Sequence, residues 1–92
     1  MAFTVYEYES VTPAGEPLEP PSARTVQAFG DDLQLAASTV YVAVVPDADM
    51  NFRTAAAAGT AATSADHKVL AGETRGFPVA RSSRPYLYGV AA

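Results

Sequence analysis

Apolar and polar residues alternate with a period of two in several short runs, and Gly or Pro separates the runs at short intervals. This is the pattern of many short strands. Phe3 to Ser10 opens the chain, with Phe3 and Val5 on one parity and Tyr6 and Tyr8 on the other. Thr25 to Phe29 reads as a second strand, ended by the turn Gly30-Asp31-Asp32, with Leu33 to Leu35 as its partner. Thr39 to Val45 is apolar on both parities, which predicts a central strand covered on both faces. Pro46 ends it, Asp47-Ala48-Asp49 turns, and Met50 to Arg53 returns with Met50 and Phe52 inward, so a hairpin is expected. A second hairpin is expected between His67 to Leu70 and Thr74 to Val79 across Ala71-Gly72-Glu73. Pro78 marks its second arm as an edge strand. After the turn Arg81 to Pro85, Tyr86 to Val90 closes the fold. About seven strands result, giving an all-β fold of the small β-sandwich or jelly-roll-like barrel type.

Two segments do not read as strands. Val11 to Ala23 holds Pro13, Pro17, Pro20 and Pro21 with Gly15, and each proline removes a ladder donor. Extended at ~3.1 Å per residue it would span about 40 Å, against a diameter of about 30 Å for a domain this size. The expected organisation is therefore residues 1–23 as an N-terminal strand with an extended Pro-rich arm, and residues 24–92 as the β domain. Thr54 to Ala65 is nearly all Ala, Thr, Gly and Ser. It lacks the apolar stripe that would dock a helix and reads as a loop.

Composition sharpens this picture. Of the 92 residues 49 % are hydrophobic, but nineteen of these are alanine, and isoleucine is absent. A core this lean barely offsets the entropy of ordering the chain. With no cysteine there is neither a disulfide nor a thiolate metal site, and a single His67 cannot build a multi-histidine centre. The remaining support for a small unstapled chain is a second copy or a larger partner.

Charge argues against nucleic acid. Six basic residues face ten acidic ones, a net charge of −4, and the basic residues are scattered. No run reaches the ~18 apolar residues of a membrane span, and the N-terminus lacks the basic and apolar regions of a signal peptide. Synthesis in the cytoplasm and use without secretion is the expectation.

Chemistry is sparse. Ser64, Asp66 and His67 include the residue types of a hydrolytic triad, but neighbouring strand residues point to opposite faces, so Asp66 is badly placed to orient His67. Asp47 and Asp49 have a spacing found in calcium loops, without the glycine and glutamate that complete one, and read as a tight turn. No glycine pattern fits a nucleotide cofactor. Glu7 and Glu9 share a strand face, read as solvated or as meeting a basic partner. A non-enzymatic chain without cofactors is expected. The tyrosines suit either a small core or an interface.

In order and spacing, several segments resemble the small all-β virion structural proteins of tailed bacteriophages, of the capsid cement or decoration type. The matching segments are Thr4-Val5-Tyr6-Glu7-Tyr8, Leu18-Glu19-Pro20-Pro21 leading into Thr25-Val26, and Ser38 to Val44 followed by Pro46-Asp47-Ala48-Asp49. Gly59 to Ser64, Leu70-Ala71-Gly72-Glu73 and Phe77-Pro78-Val79 complete them. Ala55 to Gly59 and Ser82-Ser83 depart from that group's glycine- and proline-bearing loops. The resemblance implies a protein on the virion capsid surface that binds the major capsid protein or other virion proteins, as a trimer or dimer. A head-to-tail or tail-associated position is compatible with it, and a host-surface or carbohydrate binding module is the rival class. On this reading Tyr6, Tyr8, Leu18, Pro20 and Pro21 are the expected interface residues.

Overall fold

A computed structural model describes residues 1–59, 62–63 and 66–92. Among them run eight strands and no helix: β1 (Ala2–Tyr8), β2 (Ala23–Ala28), β3 (Asp32–Gln34), β4 (Tyr41–Pro46), β5 (Met50–Ala55), β6 (His67–Val69), β7 (Arg75–Pro78) and β8 (Tyr86–Ala91). They form two four-stranded antiparallel sheets, ordered β2-β1-β4-β7 and β3-β8-β5-β6. The fold is a small β-sandwich.

Alternation builds the interior. Phe3 and Val5 of β1 and Val42 and Val44 of β4 point inward from the first sheet. Met50 and Phe52 of β5, Val69 of β6 and Leu87 of β8 meet them from the second. Leu35, just after β3, completes this core. Phe29, Leu33, Phe77 and Val79 are half-buried against its margin. Gly89 leaves room for side chains from both sheets. A Cβ there would lie 2.5 Å from Met50 Sδ and 2.9 Å from Phe3 Cε1.

Three expected strand pairings are corrected. Asp47-Ala48-Asp49 does not close a hairpin but carries the chain from the first sheet to the second. Both flanks of β4 are occupied, by β1 and β7, so β5 buries Met50 and Phe52 only by stacking beneath it. The 70–74 turn likewise links β6 in one sheet to β7 in the other, and β3 pairs with β8 rather than β2. These arches are tied to each other by hydrogen bonds. The Ala71 amide donates to Asp49 Oδ1 at 3.0 Å, the Gly72 amide to the Pro46 carbonyl at 2.9 Å, and the Ala2 amide to Asp47 Oδ1 at 3.0 Å.

The Pro-rich segment is the largest correction. It is not an extended arm but folds back on itself. Thr12-Pro13-Ala14-Gly15 is a β-turn, the Gly15 amide donating to the Thr12 carbonyl at 2.8 Å, with Gly15 at φ 86°. Proline at the second turn position and glycine at the last are what such a turn favours. Val11 then bridges Pro17, and the Leu18 amide reaches the Ser10 carbonyl at 3.0 Å. The molecule measures 33 × 27 × 21 Å, with no 40 Å projection. Residues 1–23 also do not stand apart from 24–92, because β1 pairs with both β2 and β4. Pro78 does lie on an edge strand, β7. The expected loop after β5 contains no helix among its described residues, and positions 60, 61, 64 and 65 lie outside them.

Candidate contact surface

The two outer faces of the sandwich differ. Over the second sheet the chain following β5 returns across the strands: the Gly59 amide donates to Asp32 Oδ2 at 2.7 Å, and Ala62 and Asn51 are buried. On the outer face of the first sheet Arg24 and Val26 are exposed, Thr4, Tyr6, Tyr41 and Val45 are half-buried, and Tyr8 and Ala43 are buried. There the cross-strand register lines up Val26, Thr4 and Val45 in one row, Arg24, Tyr6, Ala43 and Gly76 in the next, and Tyr8, Tyr41 and Pro78 in a third. Arg24 is the one ionisable side chain in these rows apart from the tyrosines. The double-sided apolar pattern of β4 was expected to mean cover on both faces. Its inner side is fully covered, and on its outer side Ala43 is buried while Tyr41 and Val45 are half-buried.

The tyrosines are held by one another and by the Pro-rich loop. Tyr8 and Tyr41 pack edge-on, centroids 6.0 Å apart at 74°. Arg24 lies over the Tyr6 ring, 6.0 Å from its centre. Tyr41 crosses above Gly76, where a Cβ would sit 2.9 Å from Tyr41 Cζ. The Tyr8 hydroxyl donates to Glu19 Oε1 at 3.0 Å, which fastens the loop to the end of the face. Burial, and then the carboxylate of Glu19 accepting that bond, push the Tyr8 phenol above its ordinary value of 10.0.

The five expected interface residues thus gather at one end of one face, though not in one role. Tyr6 is half-buried on the first sheet, Leu18 and Pro20 are exposed on the loop, and Pro21 is half-buried. Tyr8 is corrected from contact residue to anchor: it is only 6 % exposed, and its hydroxyl is spent on Glu19. Leu18, Glu19, Pro20 and Pro21 border a cleft of about 380 Å³ together with Glu9, Ser10 and Ser22. The sequence reading missed Val26, 57 % exposed, which continues the face toward β2. Residue type alone would turn Val26 inward and Thr25 and Gln27 outward, and only the pairing of Val26 with Thr4 places it on the outer face.

Glu7 is a further correction. It was expected to be solvated beside Glu9, yet it follows Phe3 and Val5 on the inward parity and is buried. Its Oε1 accepts the Ala36 amide at 2.8 Å and the Thr39 hydroxyl at 2.7 Å, so the carboxylate is engaged within the fold.

Other candidate chemistry is dispersed. Asp66 Oδ2 accepts the Thr63 amide at 2.7 Å and lies 3.9 Å from the Arg53 guanidinium, while the His67 ring packs on Phe52 at 5.3 Å. Ser64 lies outside the described residues. Asp47 and Asp49 bind backbone amides as turn carboxylates. Among the described residues no three His, Cys, Asp or Glu side chains gather to hold a metal ion. A second cleft, about 280 Å³, opens between β6 and β7 and is lined by Phe52, Thr54, His67, Arg75, Gly76 and Phe77. There Phe52 stacks on Phe77 at 5.7 Å. No helix among the described residues is long and apolar enough to cross a membrane.

Comparison with family models, with curated proteins and with solved structures returns no match.

Proposed function

We propose that this chain is a non-enzymatic structural protein of a tailed-phage virion, a capsid cement or decoration protein that clamps neighbouring major capsid subunits and stabilises the head. One observation carries the reading: the outer face of the first sheet sets exposed Val26 beside half-buried Tyr6, Tyr41 and Val45, with exposed Leu18 and Pro20 on the neighbouring loop, where a free-standing sandwich carries polar residues. The order of segments that resembles the virion proteins supplies the context. The fold by itself implies no function.

Clamping works through multivalency. An oligomer that touches several capsid subunits turns each later contact into an intramolecular one, so a small face per copy suffices. Tyrosine suits the task, offering a large rigid ring at low entropic cost.

Purified heads lacking the protein test the reading. Added chain should sediment with the heads and raise the temperature at which they release their contents, and Tyr6→Ser combined with Val26→Asp should abolish both effects. Chain that stays in the supernatant at every concentration overturns the cement role. Binding only at the neck or tail would assign the chain to the head-to-tail region instead. The Phe52–Phe77 cleft favours one rival, a host-surface or carbohydrate reader. That rival predicts binding to host cells or glycans that is lost on Phe77→Ala.

A further inference from the structure

We infer that β2 is a self-pairing edge through which two copies of this chain join about a two-fold axis at Val26. This rests on the oligomeric part of the function proposed above and names the surface responsible.

The backbone supplies the first step. The Phe29 amide donates to the Met1 carbonyl at 3.2 Å, which makes Met1 and Phe29 a hydrogen-bonded pair of the β1–β2 ladder. In an antiparallel ladder such pairs alternate with pairs whose polar groups face away. By the register, the bonded positions on β2 are Ala23, Thr25 and Gln27, opposite Glu7, Val5 and Phe3. The N–H and C=O groups of Arg24 and Val26, and the N–H of Ala28, therefore point outward, and β2 is the last strand of its sheet.

The four edges of the sandwich differ in how they are protected. β3 and β6 have three residues each, and β7 carries Pro78 and a charged Arg75. Short length, proline and charge are the devices that discourage strand addition. β2 has six residues, Ala-Arg-Thr-Val-Gln-Ala, with no proline and no inward charge, and its central side chain is 57 % exposed.

Charge and symmetry select the occupant. With Val26 opposite Val26 of a second copy, Arg24 falls opposite Ala28 and Thr25 opposite Gln27, so the two guanidinium groups sit at opposite ends and no like charges meet. On a chain of net charge −4, β2 bears no acid and its one cation, Arg24, lies off the dyad, so two copies can approach there without bringing carboxylates together. The dyad also merges two first sheets into one of eight strands, and their two outer faces into one continuous surface.

Light scattering on the free chain, with no heads present, tests this from about 10 μM to about 1 mM, a range that captures even weak association. The expected mass is twice the 9.6 kDa of one chain. Val26→Pro deletes an outward donor without touching the β1 ladder and should leave single chains with an unchanged β circular dichroism spectrum. Val26→Thr should remain paired. Should Val26→Pro fail to fold, hydrogen exchange of the unaltered chain decides: the Arg24, Val26 and Ala28 amides should slow as concentration rises, while Thr25 and Gln27 stay slow throughout. A single-chain mass across the range, a threefold mass, pairing that survives Val26→Pro, or concentration-independent exchange at Val26 overturns the inference. Because heads are absent, none of these outcomes depends on whether the chain binds a shell.

Discussion

The Thr39 hydroxyl donates a 2.7 Å hydrogen bond to the buried carboxylate of Glu7, joining the end of β1 to the connection between β3 and β4. The same carboxylate oxygen accepts the Ala36 amide at 2.8 Å, so one acidic side chain organises a turn that crosses between the sheets. A buried polar group is costly only when its partners are missing. Thr39→Val keeps the shape of the side chain and removes the donor. It should lower unfolding free energy by about 1–3 kcal/mol in urea titrations. Glu7→Ala orphans two donors and should cost at least as much.

The Tyr8 phenol is raised above 10.0 by burial and by Glu19, so the folded state holds its proton more tightly than the unfolded state does. Its contribution is therefore fully present below pH 10 and is lost as pH climbs from there through the raised value. Denaturant titrations at pH 9 and pH 11 should show stability falling for the unaltered chain, and Tyr8→Phe should make that fall smaller. An equal fall in both would detach Tyr8 from the alkaline limb.

Gly89 is a packing position. Its Cβ-free backbone accommodates Met50 Sδ and the Phe3 ring, and Gly89→Ala should destabilise by roughly 1–3 kcal/mol through overpacking. Met50→Ala alone should cost about 2–5 kcal/mol. The double variant should lose less than the two single losses together, because the added methyl enters space that the methionine vacates. Thermal unfolding of the four chains measures the coupling.

On the proposed contact face, Leu18→Asp should weaken co-sedimentation with heads while leaving the unfolding free energy of the free chain within about 0.5 kcal/mol, since the side chain is exposed. Tyr8→Phe, which unfastens the loop from the sheet, should weaken head binding less than Leu18→Asp if the loop holds its own turn through the Thr12 to Gly15 hydrogen bond.

The strands and their inward residues were legible because period-two alternation depends only on which face is wet. Phe3, Val5, Val42, Val44, Met50 and Phe52 all lie where that alternation puts them. Assignment of strands to sheets was not legible, since a hairpin and an arch impose the same alternation on Val44 and Met50. What separates them is which neighbours flank β4, a long-range fact. The Pro-rich segment misled because four prolines suggest extended backbone, although Thr12-Pro13-Ala14-Gly15 spells a turn. Glu7 misled by its chemistry, as its parity already placed it with Phe3 and Val5. Of the contact face, Tyr6 and Leu18 were named from residue type, whereas Val26 needed the register of β2 against β1.

A cryo-electron microscopy map of the native particle tests the central claim most directly. The account predicts density for this sandwich on the capsid surface with the β2-β1-β4 face, and hence Tyr6, Val26 and Tyr41, turned toward the major capsid subunits. Density with that face turned to solvent, or a shell carrying none of this chain, would contradict it.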